Sequence, residues 1–315
     1  MQNRILFVGT LPPPIGGVTI HTSRLLKHLA SLGVNFDFVD IKRDGVAILF
    51  KKILNSKIVH LHLSNPFFIF LMVTFSRLTM TRVIVTIHGN LGRFNKAYNL
   101  FMALAIRLAT LPLLLNESSY QIALSLNKKS LLLSSFIPPL DDEELDKDIA
   151  LEINRLSLDL DSVVVTNAAA VSFDINGNEI YGITDLMRWV KGKNYLLVIS
   201  DPSGMYSKWV EGKFPELFAK NIYFISYQHS FYSLLQYADY FIRNTLTDGD
   251  SASIHEALSS SVNVWATNKV SRPKGVHLYS NLSEIKLKKD DMYRNYVYND
   301  VVKALTSLYS SIGNQ

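Results

Sequence analysis

Short apolar runs and helical patterns alternate from the start of the chain, with apolar runs at 5–9, 36–40, 58–63, 82–87, 111–116 and 131–136. Short apolar runs separated by helix-length segments predict a parallel sheet covered by helices. One such segment, 19–32, sets Leu25, Leu26, Leu29 and Leu32 on a single face, and Gly33 ends it as a C′ glycine. The alternation stops after Pro138-Pro139, where Asp141, Asp142, Glu143, Glu144, Asp146 and Asp148 follow within a few residues. A self-repelling stretch of this kind stays solvated, so we expect an acidic linker over 141–160, with a docking role for the run left open. Strands are expected again at 163–167, 195–199, 222–226, 240–243 and 262–267. The chain thus reads as two similar α/β halves, 1–140 and 161–290, followed by a helix in 291–315 with Tyr298, Val302, Leu305 and Leu308 along one face.

Composition narrows the possibilities. The 315 residues are 48% hydrophobic and 19% charged, which excludes a disordered or fibrous chain. The absence of cysteine removes disulfides, cysteine-zinc sites and thiolate nucleophiles, and it permits a reducing, cytoplasmic setting. A net charge of +5 favours an anionic partner: nucleic acid, a phosphorylated metabolite or an anionic membrane surface. No basic stripe with interleaved aromatics is present, so no nucleic acid is expected. The apolar run at 5–8 is too short for a secretory signal, and neither 67–75 nor 98–115 supplies the roughly 20 continuous apolar residues of a transmembrane helix. The segments 67–77 and 96–107 read either as core helices or as amphipathic segments on the cytoplasmic face of a membrane, with Arg and Lys towards the headgroups.

Three constellations carry candidate chemistry. Residues 9–18, with Gly16-Gly17 between a strand and a helix, let backbone approach a ligand without a Cβ, and the helix N-terminus suits a phosphate. The run lacks the Lys-Ser/Thr of a Walker loop and the spacing of a dinucleotide fingerprint, which argues against a hydride-transfer enzyme. Thr86-Ile87-His88-Gly89 places an imidazole at the C-terminal end of a central strand, where ligands of open α/β sheets collect. His60 and His62 share a strand face and read as core or cleft-lining residues; with no carboxylate near them in sequence, no metal is expected. The third constellation runs from Arg243 through Asp248, Gly249, Asp250, Ser251, Ala252 and Ser253 to Glu256. Here a polar loop enters a helix whose first-turn amides can hold a phosphate while carboxylates take hydroxyls. Helix capping by Asp248 or Ser253 is the alternative.

Taken as a set, Gly16-Gly17-Val18, Thr86-Ile87-His88-Gly89, and Asp248 followed eight positions later by Glu256-Ala257-Leu258 resemble glycosyltransferase family 4, over essentially the whole chain. The stretch from Arg243 to Arg272-Pro273 is similar to members from bacterial surface-polysaccharide clusters. The resemblance implies an α/β GT-B fold of two Rossmann-like domains facing across a cleft, the last helix crossing back to the first domain. It also implies a hexosyltransferase that is retaining and metal-independent, using a UDP- or GDP-sugar as substrate and no cofactor. The acceptor would be an oligosaccharide, lipid-linked in O-antigen or capsule synthesis, with peripheral contact at the inner membrane. Gly16 and Gly17 would approach the donor diphosphate and the acceptor, and His88 would sit beside the donor sugar. Asp248, replacing the usual Glu, would reach sugar hydroxyls and Glu256 the ribose, with the amides of Asp250, Ser251, Ala252 and Ser253 on sugar and phosphate.

One departure stands out. Family members carry an Arg after the first strand of the second domain and a Lys before a nearby Gly. Here those positions read Asn167-Ala168-Ala169-Ala170 and Tyr181-Gly182. Arg243 and Arg272 are the expected substitutes at the diphosphate. The alternative is a catalytically silent scaffold in a polysaccharide assembly complex.

Overall fold

The computed structural model describes residues 4–13, 15–141, 143–168, 170–287 and 300–313. The chain forms two compact units. Unit 1 is Met1–Leu140 with Asn299–Gln315, and unit 2 is Asp141–Tyr298.

Unit 1 is a six-stranded sheet of β1 (Ile5–Gly9), β2 (Phe36–Asp40), β3 (Ile58–Leu61), β4 (Arg82–Ile87), β5 (Leu111–Leu114) and β6 (Leu131–Leu132). All pairs are parallel, in the order β2-β1-β3-β4-β5-β6. Its helices are α1 (Gly17–Ser31), α2 (Val46–Leu54), α3 (Pro66–Leu78), α4 (Lys96–Leu108) and α5 (Glu117–Leu126). The two-residue period of the strands sorts the core into two layers. Leu6, Val8, Val59, Leu61, Val83 and Val85 point to one face and pack against α2, α3 and α4. Ile5, Phe7, Ile58 and Ile84 point to the other, against Leu25 and Leu29 of α1 and against the C-terminal helix Val301–Gly313 through Val302, Leu305 and Tyr309. A fully buried leucine such as Leu29 contributes about 1.5–3 kcal/mol through transfer alone, and its truncation to Ala costs about 2–5 kcal/mol. Asn65, Asn95 and Asn116 each accept a first-turn backbone N–H, at 3.1, 3.0 and 2.9 Å, and so start α3, α4 and α5. Gly33, at φ +69°, ends α1 in the left-handed region that favours glycine.

Unit 2 repeats the architecture with a second parallel sheet: β7 (Ser162–Asn167), β8 (Tyr195–Ser200), β9 (Ile222–Ile225), β10 (Tyr240–Arg243), β11 (Asn263–Thr267) and β12 (Val276–Tyr279), in the order β12-β11-β10-β7-β8-β9. Around it lie α6 (Lys147–Ser157), α7 (Ile183–Val190), α8 (Met205–Lys213), α9 (Phe231–Leu234) and α10 (Ala252–Ser259).

Two sequence expectations are corrected here. Residues 141–160 are not a solvated linker. Asp146 caps α6 by accepting the Asp148 N–H at 2.8 Å, and Ile149 and Ile153 bury into the core of unit 2. The acidic residues were visible in the pattern and the two buried isoleucines four apart were outweighed by them. Strand β12 was not expected either: Val276-His277-Leu278-Tyr279 is a short edge strand, and only Tyr279 is buried. The helix expected within 291–315 is described from Val301, so Tyr298 lies outside the described residues. Tyr309 and Ile312 join Val302 and Leu305 on its buried face.

Candidate functional site

Each sheet has one point where the strand order reverses direction, and there the connections leave to opposite sides and open a crevice at the strands' C-terminal ends. In unit 1 that point lies between β1 and β3, and in unit 2 between β7 and β10. The residues singled out from sequence collect at these two places.

At the unit 1 switch point, β1 ends at Gly9, whose missing Cβ would stand 3.4 Å from His62 and from Thr22. The chain then runs to Gly16 and Gly17 at the start of α1, where a Cβ would meet nothing within 4 Å. Packing inside the protein therefore does not demand glycine at 16 or 17, while close approach by a ligand would. Opposite lies a group of four histidines. His60 is fully committed, with Nδ1 2.8 Å from the Tyr309 hydroxyl and Nε2 2.7 Å from Thr86 Oγ1. His62 Nδ1 and His88 Nε2 lie 3.1 Å apart, and the Nε2 of His62 is buried without a partner. His21 of α1 donates through Nδ1 to the Ser135 carbonyl, at 2.7 Å, and its ring meets that of His88 edge to face, at 5.1 Å.

Burial, then the nearby His21, pushes the pKa of His60 down to about 3. Burial first and the neighbouring histidines second hold His62 and His88 well below the ordinary imidazole range. At neutral pH these three rings are uncharged, so His88 acts as a hydrogen-bonding group and not as a cation. His21, His62 and His88 each present a nitrogen within 4.8 Å of the other two, a donor set that a divalent ion could use. The cluster contains no carboxylate, and its closest nitrogen pair already has the separation of an N–H···N bond. Beside His88, Gly89, Asn90 and Arg93 line a small pocket of about 10 Å³. Arg93 reaches in under Gly89, over the ring of Phe94 at 4.7 Å, and burial lowers its pKa.

Unit 2 is built differently. Arg243 ends β10 and bridges the switch point: its Nη1 donates to the Asn167 carbonyl and side-chain oxygens at 3.0 and 2.8 Å, at the end of β7. Its Nε donates to Asp248 Oδ2 at 3.0 Å, and its guanidinium lies 5.1 Å above the Tyr181 ring. The same Asp248 oxygen accepts from Arg272 Nη1 at 3.1 Å, while Arg272 Nη2 donates to Thr245 Oγ1 at 2.8 Å. Burial alone would raise the Asp248 carboxyl, but Arg243 and then Arg272 outweigh it and hold the group below its ordinary range. Burial also opposes the charge of Arg243, yet Asp248 and Tyr181 raise its pKa; for Arg272 burial prevails and the pKa falls. Two guanidiniums on one carboxylate leave the cluster with one net positive charge, and Arg272 Nε is buried without a partner. Such an arrangement attracts an anion.

Next to it, Gly249 and Asp250 lead into α10. His255 binds the Asp250 carboxylate from the second turn, and the Ser251 and Ser253 hydroxyls meet at 3.1 Å. Ala252 opens the helix, whose first amides have no intrahelical acceptor, and Glu256 is buried one turn further on. Gly182, at φ +56°, is required locally, because a Cβ there would lie 2.4 Å from Asn244 Nδ2. Sequence reasoning missed Asn167 and Tyr181 as anchors, and with them Thr245, His21, Ser135, Arg93 and Tyr309. Only Arg93, five residues after His88, left a local signal.

No family model and no curated protein matches the sequence. Solved structures match in fold along its whole length. HepE of Anabaena, solved with UDP and glucose, covers 99% of this chain and 98% of its own, with a TM-score of 0.69 at 11% identity. WaaG, a glycosyltransferase involved in lipopolysaccharide biosynthesis, covers 98% and 94%, with a TM-score of 0.57 at 11% identity. The UDP-GlcNAc 2-epimerase of Methanocaldococcus jannaschii covers 98% and 99%, with a TM-score of 0.60 at 10% identity. Two parallel Rossmann-like sheets in this order, matched end to end, define the GT-B fold. A fold that serves both a glycosyltransferase and an epimerase leaves the activity to be argued from the site.

Proposed function

We propose that the protein is a glycosyltransferase that moves a sugar from a nucleotide-sugar donor to a hydroxyl of an oligosaccharide acceptor, lipid-linked in surface-polysaccharide synthesis. The observation that carries this reading is the position of Arg243. It is anchored on Asn167, which leads into the Asn167-Ala168-Ala169-Ala170 stretch, and on Tyr181, the two places where the family resemblance calls for diphosphate-binding cations and this sequence has none. With Asp248, Arg243 and Arg272 leave one net positive charge at that place, which in this reading meets the donor diphosphate.

In this reading unit 2 holds the donor, with Glu256 on the ribose hydroxyls, the amides of Asp250 to Ser253 on phosphate and sugar, and Asp248 fixing both arginines. Unit 1 offers Gly16 and Gly17 as uncrowded backbone and His88 as a neutral hydrogen-bonding partner for a sugar hydroxyl. The reaction breaks the bond between the anomeric carbon and the diphosphate oxygen and forms one from the same carbon to the acceptor oxygen. The acceptor proton passes to the departing phosphate, so retention needs neither a protein nucleophile nor a metal. The chain's part is positioning and stabilisation of the leaving charge.

Melting the protein against a panel of UDP- and GDP-sugars tests donor binding. A donor at a hundredfold excess over its Kd stabilises the native state by about 2.7 kcal/mol. Nucleoside diphosphate released only when acceptor is present would identify transfer; sugar isomerised without acceptor would favour the epimerase chemistry. A second reading, the silent partner subunit, draws on the commitment of both arginines to Asp248. A folded protein that shifts with no donor would support it.

A further inference from the structure

Zinc and its neighbours in the first transition row need no carboxylate: three imidazole nitrogens about 2.0–2.1 Å from the ion, with water or a ligand in the fourth position, complete a tetrahedral site. Unit 1 supplies such a trio. His21 stands in the second turn of α1, and His62 and His88 stand just past the ends of β3 and β4, which are paired in the sheet. Rigid elements thus deliver all three rings to one place, and each ring offers a nitrogen within 4.8 Å of the other two.

Hydrogen bonding separates this trio from an ordinary core histidine. His60, two residues before His62, spends both nitrogens on Tyr309 and Thr86. His62 is buried too, yet its Nδ1 faces only His88, at 3.1 Å, and its Nε2 has no partner among the described residues. Leaving a buried polar atom unpaired costs about 1–3 kcal/mol. Two nitrogens on one tetrahedral ion lie about 3.3–3.4 Å apart, so a shift of a few tenths of an ångström turns the His62–His88 pair from an N–H···N bond into two ligands. His21 is oriented from behind: its Nδ1 donates to the Ser135 carbonyl at 2.7 Å, which leaves the lone pair of the neutral ring on Nε2. Burial, and the neighbouring histidines after it, keep His62 and His88 uncharged at neutral pH, so an ion has no imidazolium proton to displace from them. His88 is the partly exposed member and lines the small pocket with Ser64 and Asn90, which gives an ion a way in.

We propose that His21, His62 and His88 form a binding site for a divalent transition-metal ion of the zinc type, with the fourth position open to the crevice on the His88 side. An all-imidazole set suits Zn2+, Co2+, Ni2+ and Cu2+ and leaves Mg2+ and Ca2+, which require oxygen ligands, unbound. His60 takes no part, since both of its nitrogens are committed. The site rests on the geometry of unit 1 alone. Its consequence rests on the sugar-transfer reading: an ion held by His88 claims the ring that would meet the sugar hydroxyl, so it inhibits transfer.

Cobalt tests the site, on the whole chain without a histidine tag and stripped by EDTA. Co2+ should bind as a single ion per chain and give the visible d–d absorption of a four-coordinate centre; zinc should displace it, and an excess of magnesium or calcium should not. His21→Asn keeps an N–H for the Ser135 carbonyl and removes the ligating nitrogen, while His88→Gln changes the member least able to disturb the core. Both should keep the wild-type melting curve without metal. Each should weaken cobalt binding by about 100-fold or more, beyond the roughly 10- to 100-fold that follows loss of a supporting partner. His277→Gln, in the edge strand of unit 2, should bind as the wild type does. The proposal falls if the folded wild type gives no such band, if both variants bind cobalt as tightly as the wild type, or if magnesium competes as well as zinc. Zinc that binds at the trio and leaves transfer at its full rate would keep the metal site and remove His88 from the sugar.

Discussion

The two units share an architecture and a switch-point crevice, yet they equip that crevice with opposite electrostatics. In unit 1 the side chains are imidazoles held neutral by burial and by one another. In unit 2 they are ions, two guanidiniums and one carboxylate, that stay charged because each compensates the burial of the others. A buried neutral ring presents donors and acceptors without repelling or attracting charge, which fits selection among sugar hydroxyls. A buried cluster with net positive charge fits a diphosphate. One fold used twice thus holds two electrostatic environments, decided by a handful of side chains at the strand ends.

Breaking the ionic side should have the largest effect. Arg243→Met leaves Asp248 with Arg272 as its only guanidinium and removes the tie from β10 to Asn167 on β7, so unfolding in denaturant should show a loss of about 3–5 kcal/mol. Acid should act on the neutral side. Histidines whose folded pKa is depressed bind fewer protons in the native state than in the unfolded one, so their contribution is complete above the ordinary value near 6.5 and is lost as pH falls below it. Each of His60, His62 and His88 should then remove stability by up to about 1.4 kcal/mol per pH unit, for His60 down to about pH 3. A variant with His60→Asn should flatten this slope; an unchanged slope would mean that His60 does not titrate as its surroundings require. Glu256→Gln should reduce kcat/KM by about 1.5–3 kcal/mol, roughly 10- to 150-fold, as expected for a charged hydrogen bond to the donor. His88→Ala removes a neutral hydrogen bond, and the cost should be smaller, about 0.5–1.5 kcal/mol. The pH profile of the wild type should show no limb near 6.5 from this residue.

Most strands of both units were legible as short apolar runs set between helix-length segments, and β1, β2, β4 and β10 begin and end where the sequence pattern places them. Helix α6 and strand β12 were not. In the first, charge density masked two buried isoleucines; in the second, an edge strand with polar neighbours carries little periodicity. The candidate site was legible as residues and not as partnerships. Arg243 finds Asn167 across 76 positions and His60 finds Tyr309 across 249, distances over which no local pattern reports. The histidines show the same limit. His60 and His62 share a strand face, but only the fold assigns the first to the core with Tyr309 and Thr86 and the second to a group with His21 and His88.

Unit 1 is interrupted in sequence by all of unit 2 and is completed by the C-terminal helix, whose Tyr309 and Leu305 are part of its core. On the ribosome this imposes an order of events. The strands of unit 1 emerge first but wait for the 158 residues of unit 2, roughly 8–30 s at ordinary rates of synthesis, before Leu305 and Tyr309 exist to cover Phe7 and Ile58. Through that interval α1 alone covers this face of the first sheet, and the part that Leu305 and Tyr309 will bury stays open.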